Sequence, residues 1–383
     1  MSLGNMVDIK RREFIIGSAA MAAGCRMPFL RSADTYAVSV LGDTHYDAEP
    51  KSVYHSHYDN SNKWAKVQNA EFERNGEMWR ERCPRLLAAS ARLACENKTD
   101  FILQLGDIIQ GDCDHAPTHK KMLSDCINLL RKPYPEKLPF LTVAGNHDFR
   151  GKDAEEAYFQ FAEPFMAAEI AKLTGNASWG RVKYPFFSFM KGEDLWVFCH
   201  FHEEDLNPLC DIIDSHKNAR HIFIVSHGPF TTCARTRAYR WRLGGSQNSY
   251  SSRKRLYETL LRRHAIVLSG HTHTTTFYRH ENSLGSFCEF TANSVWSSEN
   301  LATAEPLHFG KDAYSAIPNL LEGAQQADLE SEINFFKGSV AEYFINRGAG
   351  HYRLHVSSDC VNMSFYPGDS ISSPRVFTLR NVM

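Results

Sequence analysis

Five short apolar runs in this chain end in a glycine or serine, and metal-binding or proton-moving residues follow at once. They are Gly42-Asp43-Thr44-His45, Gly106-Asp107, Gly145-Asn146-His147-Asp148, Ser226-His227-Gly228 and Gly270-His271-Thr272-His273. Asp43, His45, Asp107, Asn146, His227, His271 and His273 form a mixed set of imidazole, carboxylate and amide oxygen. Such a set favours borderline-to-hard ions (zinc, iron, manganese or cobalt) over a thiolate-type site. A single zinc takes about three or four protein groups. Seven therefore suit two metals that share a bridging carboxylate. Asp43 and His45 are two residues apart, as are His271 and His273. In an extended chain such residues point the same way, so each pair is expected to aim at one point.

These groups need strands to deliver them. The runs before them (YAVSVL, FILQL, FLTVA, HIFIVS and AIVLS) have the length and composition of buried strands. Ligands in open α/β sheets sit beyond the carboxyl ends of the strands. Helical patterns cover 63–97, interrupted by Pro84, then 118–131, 153–173 and 254–263. A hairpin is expected over 185–201 with its turn at 191–194. A further strand is expected at 287–296, helix-like residues at 324–345, a closing hairpin at 351–368 and a last strand at 374–379. Strands alternate with helices early and pair as hairpins later, which predicts a mixed α/β sandwich rather than a purely parallel sheet.

The ordered set Asp43-x-His45, Gly106-Asp107, Gly145-Asn146-His147-Asp148, His227 and Gly270-His271-x-His273 resembles the calcineurin-like metallophosphoesterase superfamily, over residues 36 to about 296. The resemblance implies an α/β (α+β sandwich) fold of two packed mixed β-sheets flanked by helices, the four-layer metallophosphoesterase arrangement. It implies that Asp43, His45 and His273 hold one metal, that Asn146, His227 and His271 hold the second, and that Asp107 bridges them. His147 would face the phosphoryl group, with Asp148 as its orienting partner. The cofactors implied are two divalent or trivalent ions, manganese, iron or zinc. The reaction implied is hydrolysis of a phosphomonoester or phosphodiester of a small molecule or nucleotide by metal-activated hydroxide. A nuclease or a protein phosphatase on the same fold is the alternative. Ile108-Ile109-Gln110-Gly111 follows Asp107, where protein Ser/Thr phosphatases carry Asp-Arg-Gly. A non-catalytic metal-binding scaffold is disfavoured because every ligand position is intact. The long stretch between Asp43 and Asp107 predicts an inserted loop and an extra helical segment near the mouth of the site.

Three polar segments border these motifs. The HSHYD segment (55–59) reads as a polar surface loop, although its spacing could hold a third metal. DCDHAPTH (112–119) reads as a solvated loop beside the site. RTRAYRWR (235–242) offers arginines for a second phosphate or a carboxylate, with Tyr239 or Trp241 to stack on a base or sugar; its alternative is a solvated charged segment.

Composition sets the outer bounds. The chain has 383 residues, 43% apolar, with a net charge of −1. That balance carries no basic field of the kind that marks a nucleic-acid binder. No apolar run reaches the roughly 18–20 residues of a membrane span. Residues 1–33 read as a secretory leader. Arg11-Arg12 precedes an apolar core, Arg-Arg-x-Phe-Ile resembles a bacterial twin-arginine signal, and Ala-Ala-Gly-Cys25 resembles a lipoprotein processing site. The expectation is an exported bacterial protein of the periplasm or cell envelope, with a possible lipid anchor at Cys25. The ten cysteines show no metal-ribbon spacing. Three parts are expected: the leader at 1–33, a catalytic domain at 34–300, and a C-terminal extension at 301–383 of a helix and hairpin packed on that domain.

Overall fold

A computed structural model describes residues 35–56, 65–135, 138–179, 182–231, 242–244, 250–295, 309–315, 330–331 and 333–382. The leader and Cys25 lie outside the described residues. Two mixed sheets face one another, each with helices on its outer side. The first sheet contains β1 (Tyr36–Leu41), β2 (Phe101–Gln104), β3 (Phe140–Thr142), β11 (Gly350–Val356), β12 (Cys360–Pro367) and β13 (Arg375–Asn381), in the order β13-β12-β11-β1-β2-β3. The second contains β4 (Phe186–Lys191), β5 (Asp194–Cys199), β6 (Ile222–Ser226), β7 (Ile266–Ser269), β8 (Thr275–Asn282), β9 (Gly285–Thr291) and β10 (Val340–Asn346), in the order β10-β8-β9-β7-β6-β5-β4.

The parallel strands sit where the sequence is most continuously apolar, because each is covered on both faces. β1, β2 and β3 run parallel, as do β5, β6, β7 and β9. The inward residues Val38, Val40, Leu103 and Leu141 meet Trp196, Phe198, Phe223, Ile266 and Leu268 from the opposite sheet. The outward residues of the first sheet, Leu41, Ile102 and Phe140, pack under α2 (Ala65–Glu81), α3 (Cys83–Glu96), α4 (Ala116–Arg131) and α5 (Ala154–Thr174), which follow the short α1 (Lys51–Tyr54). Leu195, Val197, Ile222 and Val267 do the same under α6 (Asn207–Ser215) and α7 (Tyr250–Arg263). A short α8 (Gly310–Ser315) lies against β10. This is the expected four-layer sandwich.

Trp196 locks the two sheets together. It is fully buried, stacks on Phe223 at 4.2 Å between ring centroids, and donates its indole N–H to Tyr36 Oη at 3.1 Å. Trp196→Ala should cost about 3–5 kcal/mol, the range for truncating a large buried aromatic. A urea-denaturation midpoint measures it, and a loss below about 1 kcal/mol would mean that the layers do not depend on this contact.

Pro84, which interrupts the helical pattern, marks a new first turn: α3 begins at Cys83 with proline in its first turn, where its missing N–H leaves no helix bond unmade. Two expectations change. The helix-like pattern at 324–345 gives way to strand β10 from Val340, because pairing with β8 outweighs helical propensity. The 301–383 segment is not an extension packed on a finished domain. β10 completes one sheet, and β11 pairs directly with β1, the strand that carries Asp43. A boundary at 300 would cut through both sheets.

Candidate metal centre

The carboxyl ends of β1, β2, β3, β6 and β7 converge at one rim, and every ligand candidate hangs there. Close approach sets the local sequence. A Cβ on Gly145 would lie 2.2 Å from Asp107 Oδ1, and one on Gly106, whose φ is +88°, would lie 2.6 Å from His227 Nδ1. Only glycine admits the neighbouring ligand loop at either point. The ligands themselves do not sit in extended chain. His45, Asp107, His271 and His273 have φ values of 40°, 51°, 71° and 49°. Non-glycine residues rarely adopt such values, and they cluster at functional sites where the surroundings enforce them. The expectation that two-apart residues share a direction therefore holds for the wrong reason at Asp43/His45. It fails at His271/His273, which turn towards different neighbours.

One group of donors is Asp43, His45 and His273, whose ligand atoms lie within 4.8 Å of one another. His273 Nε2 is 3.1 Å from Asp43 Oδ2 and 3.0 Å from His45 Nε2. The second group is Asp107, His227 and His271. His227 Nε2 lies 3.2 Å from Asp107 Oδ2, 3.2 Å from Asn146 Oδ1 and 3.1 Å from His271 Nδ1. Asp107 Oδ2 also lies 3.6 Å from His45 Nε2, so the same carboxylate oxygen faces both groups. All seven predicted ligands are thus at one place.

The donor chemistry fits a cation in each group. His227 donates Nδ1–H to the Leu105 carbonyl at 2.8 Å, which fixes the tautomer that leaves Nε2 with a lone pair. That lone pair faces a carboxylate oxygen and an amide oxygen, with His271 Nδ1 3.1 Å away, so electron-pair donors suited to a cation converge at this point. Burial works against a charged ring, yet Asp107 and Asp43 push His227 up to about 9. The pocket's negative charge therefore gathers positive charge at the point where the acceptors meet. Burial would likewise raise Asp107, but His227 and His147 hold it well below the usual carboxylate range. Burial, followed by His147, pushes His45 well below the ordinary histidine value, keeping its ring neutral as a ligand. Backbone amides complete the support. His271 N–H donates to Asp43 at 3.0 Å, and His147 N–H donates to Asp107 Oδ1 at 2.7 Å, leaving Oδ2 to face the ligand groups.

His147 stands edge-on to His45 at 4.2 Å between ring centroids. Its Nδ1–H donates to the Gln110 carbonyl at 3.1 Å, and burial pushes it down to about 4. The predicted partnership with Asp148 is not made. Asp148 is fully buried and accepts the backbone N–H of Gly145 at 2.9 Å and of Ile109 at 3.2 Å. Burial, and then Asp107, push it up to about 8. It staples the loop after β3 to the loop after β2, and so acts on the shape of the site rather than on the imidazole.

The bordering segments also differ from expectation. His55 is buried, not a surface residue. Its ring stacks on Phe72 at 3.9 Å, and its nitrogens lie 3.1 Å from Asp47 Oδ2 and 3.1 Å from the Asp112 carbonyl. The rest of that segment, 57–59, lies outside the described residues. Asp112, Cys113 and His119 are buried as well, while His115 and Pro117 between them are exposed, so the 112–119 stretch is packed at its two ends and solvated only in its middle. Except for Arg242, the RTRAYRWR segment lies outside the described residues. Sequence reasoning missed Gln110, Arg150 and Glu71. Arg150 stands only three residues after His147, but nothing in its spacing marked it. The expected extra helical segment is α2, which reaches the site through Trp79: its indole N–H donates to the Thr44 carbonyl at 2.9 Å.

The family model for calcineurin-like phosphoesterases matches residues 37–275. No curated protein matches the chain. Among solved structures, the purple acid phosphatase PPD1 from yellow lupin (Lupinus luteus) is similar at 10% identity and TM-score 0.50, over 92% of this chain and 55% of that one. GAP50, the anchor in the inner membrane complex of Plasmodium, is similar at 14% identity and TM-score 0.48, over 91% and 90%. A dimetal phosphatase from Danio rerio is similar at 13% identity and TM-score 0.47, over 91% and 100%. At 10% identity the likeness to the lupin phosphatase is one of fold. Among the described residues no helix is long and apolar enough to cross a membrane.

Proposed function

The chain belongs to the calcineurin-like phosphoesterase family, and from that premise we propose that it hydrolyses a phosphomonoester or phosphodiester of a small molecule or nucleotide at a two-metal centre. The observation that carries this reading is the position of Asp107 Oδ2, which faces His45 of one donor group and His227 of the other. Asp43, His45 and His273 would hold one ion. Asn146, His227 and His271 would hold the second, with Asp107 shared. Two ions held there supply Lewis-acid stabilisation of phosphoryl oxygens and a nucleophile at neutral pH.

The chain's own residues do the rest. The backbone amides of His147 and His271 orient the two carboxylates so that neither must rotate during the reaction. With Nδ1–H committed to the Gln110 carbonyl, Nε2 is the ring nitrogen that keeps a lone pair, and Arg150 Nη1 stands 3.2 Å from it, so a substrate would meet Nε2 beside the guanidinium. An arriving phosphate brings negative charge that favours a protonated ring. Nε2 would then hold the proton that passes to the leaving oxygen.

Chelation followed by reconstitution tests the centre. Protein stripped of metal should lose phosphoester hydrolysis and regain it with manganese, iron or zinc at two ions per chain. Undiminished hydrolysis by the stripped protein, or full activity with a single ion, would overturn the assignment. The panel should include phosphomonoesters, diesters, nucleotides, nucleic acid and a phosphoprotein. Preference for either of the last two would move the substrate to a macromolecule.

A further inference from the structure

Helix α2 and the turn after His147 build a closed ring of contacts that the ligand set does not require. Arg150 Nη1 lies 3.0 Å from His147 Nδ1 and 3.2 Å from Nε2, and because Nδ1–H is given to the Gln110 carbonyl, Nε2 is the ring nitrogen that can accept its N–H. Arg150 is itself gripped from two sides. Its Nη2 meets Asp112 Oδ2 at 2.5 Å, and Nη1 and Nη2 lie 3.3 and 3.4 Å from Glu71 Oε2. The same Glu71 oxygen accepts Gln110 Nε2–H at 3.0 Å, and Gln110 Oε1 accepts Asn75 Nδ2–H at 2.5 Å. Gln110 also provides the carbonyl that receives His147 Nδ1–H. The path from Glu71 to Arg150, His147, Gln110 and back to Glu71 is therefore continuous. Both Glu71 and Asn75 come from α2.

We propose that Arg150 is a positioning residue for His147, clamped by Glu71 and Asp112, and that α2 sets the orientation of the catalytic imidazole through this ring. The proposal rests on the phosphoesterase reading only for the role of His147; the ring itself is a matter of geometry. A guanidinium that grips substrate phosphate presents free N–H groups to it. Arg150 instead faces two carboxylates, and its side chain and that of Glu71 are only 24% and 26% exposed. Its positive charge is outnumbered at short range, which suits holding a neighbour in place rather than capturing an anion. Misplacing a reacting group by about 1 Å can cost on the order of 10²-fold in rate, so a brace of this kind should show in kcat rather than in KM.

The test is a double-mutant cycle with an activity-free readout beside it. Arg150→Ala and Glu71→Gln should each lower kcat about tenfold or more, leave KM within about twofold and leave two metals per chain. In a His147→Ala background, Arg150→Ala should change kcat less than about twofold, because its effect passes through the missing ring. The His147 Cε1–H resonance of histidine-labelled protein, assigned by its absence in His147→Ala, should shift in both Arg150→Ala and Glu71→Gln. A rise in KM at unchanged kcat, an equal loss with and without His147, or an unmoved His147 resonance would overturn the proposal. Should wild type hydrolyse no phosphoester, the functional reading fails, while the resonance still decides whether the brace exists.

Discussion

Asp107→Asn is expected to lower kcat/KM by about 10³-fold and to leave no more than one metal per chain. The substitution keeps shape and volume and removes one charge. Asp107 Oδ1 accepts the His147 N–H at 2.7 Å, while Oδ2 faces His45 and His227. An amide must place its NH2 at one of these two positions. At the first, two donors would meet. At the second, a donor would point into both ligand groups, where only lone pairs can hold a cation. The loss of one preorganised charge-stabilising group is of the order of 10²–10³ in rate, and this one serves two ions. Elemental analysis alongside steady-state kinetics on a simple aryl phosphate measures both effects. Retention of two metals with activity within tenfold of wild type would remove Asp107 as the bridge.

His147→Ala should keep both metals and still lose about 10²–10⁴-fold in kcat, the range for a positioned acid–base group. By proximity alone His45, Asp107 and His147 also form a group that could hold an ion. The hydrogen bonding separates the two roles. His147 Nδ1–H is given to the Gln110 carbonyl, and Arg150 lies against the ring, whereas the other donors turn their nitrogens towards one another. Loss of a metal from His147→Ala would make the residue a ligand. Unchanged turnover by fully metallated protein would remove it from the chemistry.

The candidate ligands were legible as a group because each follows an apolar strand and a glycine or serine at short range, so Asp43, His45, Asp107, Asn146, His227 and the His271/His273 pair could be read locally as one convergent set. The layers were legible for a similar reason: buried parallel strands are continuous apolar runs. What could not be read depends on partners far along the chain or on backbone conformation. The left-handed φ values of His271 and His273 send two neighbouring ligands apart, and histidine spacing carries no sign of that. Asp148 looked like a partner for His147 because the two are adjacent, yet its carboxylate is drawn to amides at Gly145 and Ile109 by the folding together of two loops. Glu71 and Arg150 lie 79 residues apart, and each alone is an ordinary surface charge. His55 looked polar and exposed; Phe72 from α2 covers it.

The pairing of β1 with β11 has a consequence for the order in which the centre can be made. Tyr36 lies opposite Val356 and Val40 opposite Tyr352, so one edge of the strand leading to Asp43 is closed by residues synthesised more than three hundred positions later. Tyr352 also donates to or accepts from Thr275 at 2.6 Å and accepts the Asn293 N–H at 2.9 Å, behind the loops that carry His273 and flank Asp43. Contacts of such long sequence separation form late, since loop closure must precede them. During translation the first ligand emerges early but has no complete strand edge to hang from. Metal capture that needs the complete arrangement would therefore have to wait for β11, and a nascent chain interrupted before it would hold all seven candidate ligands without the support that gathers them.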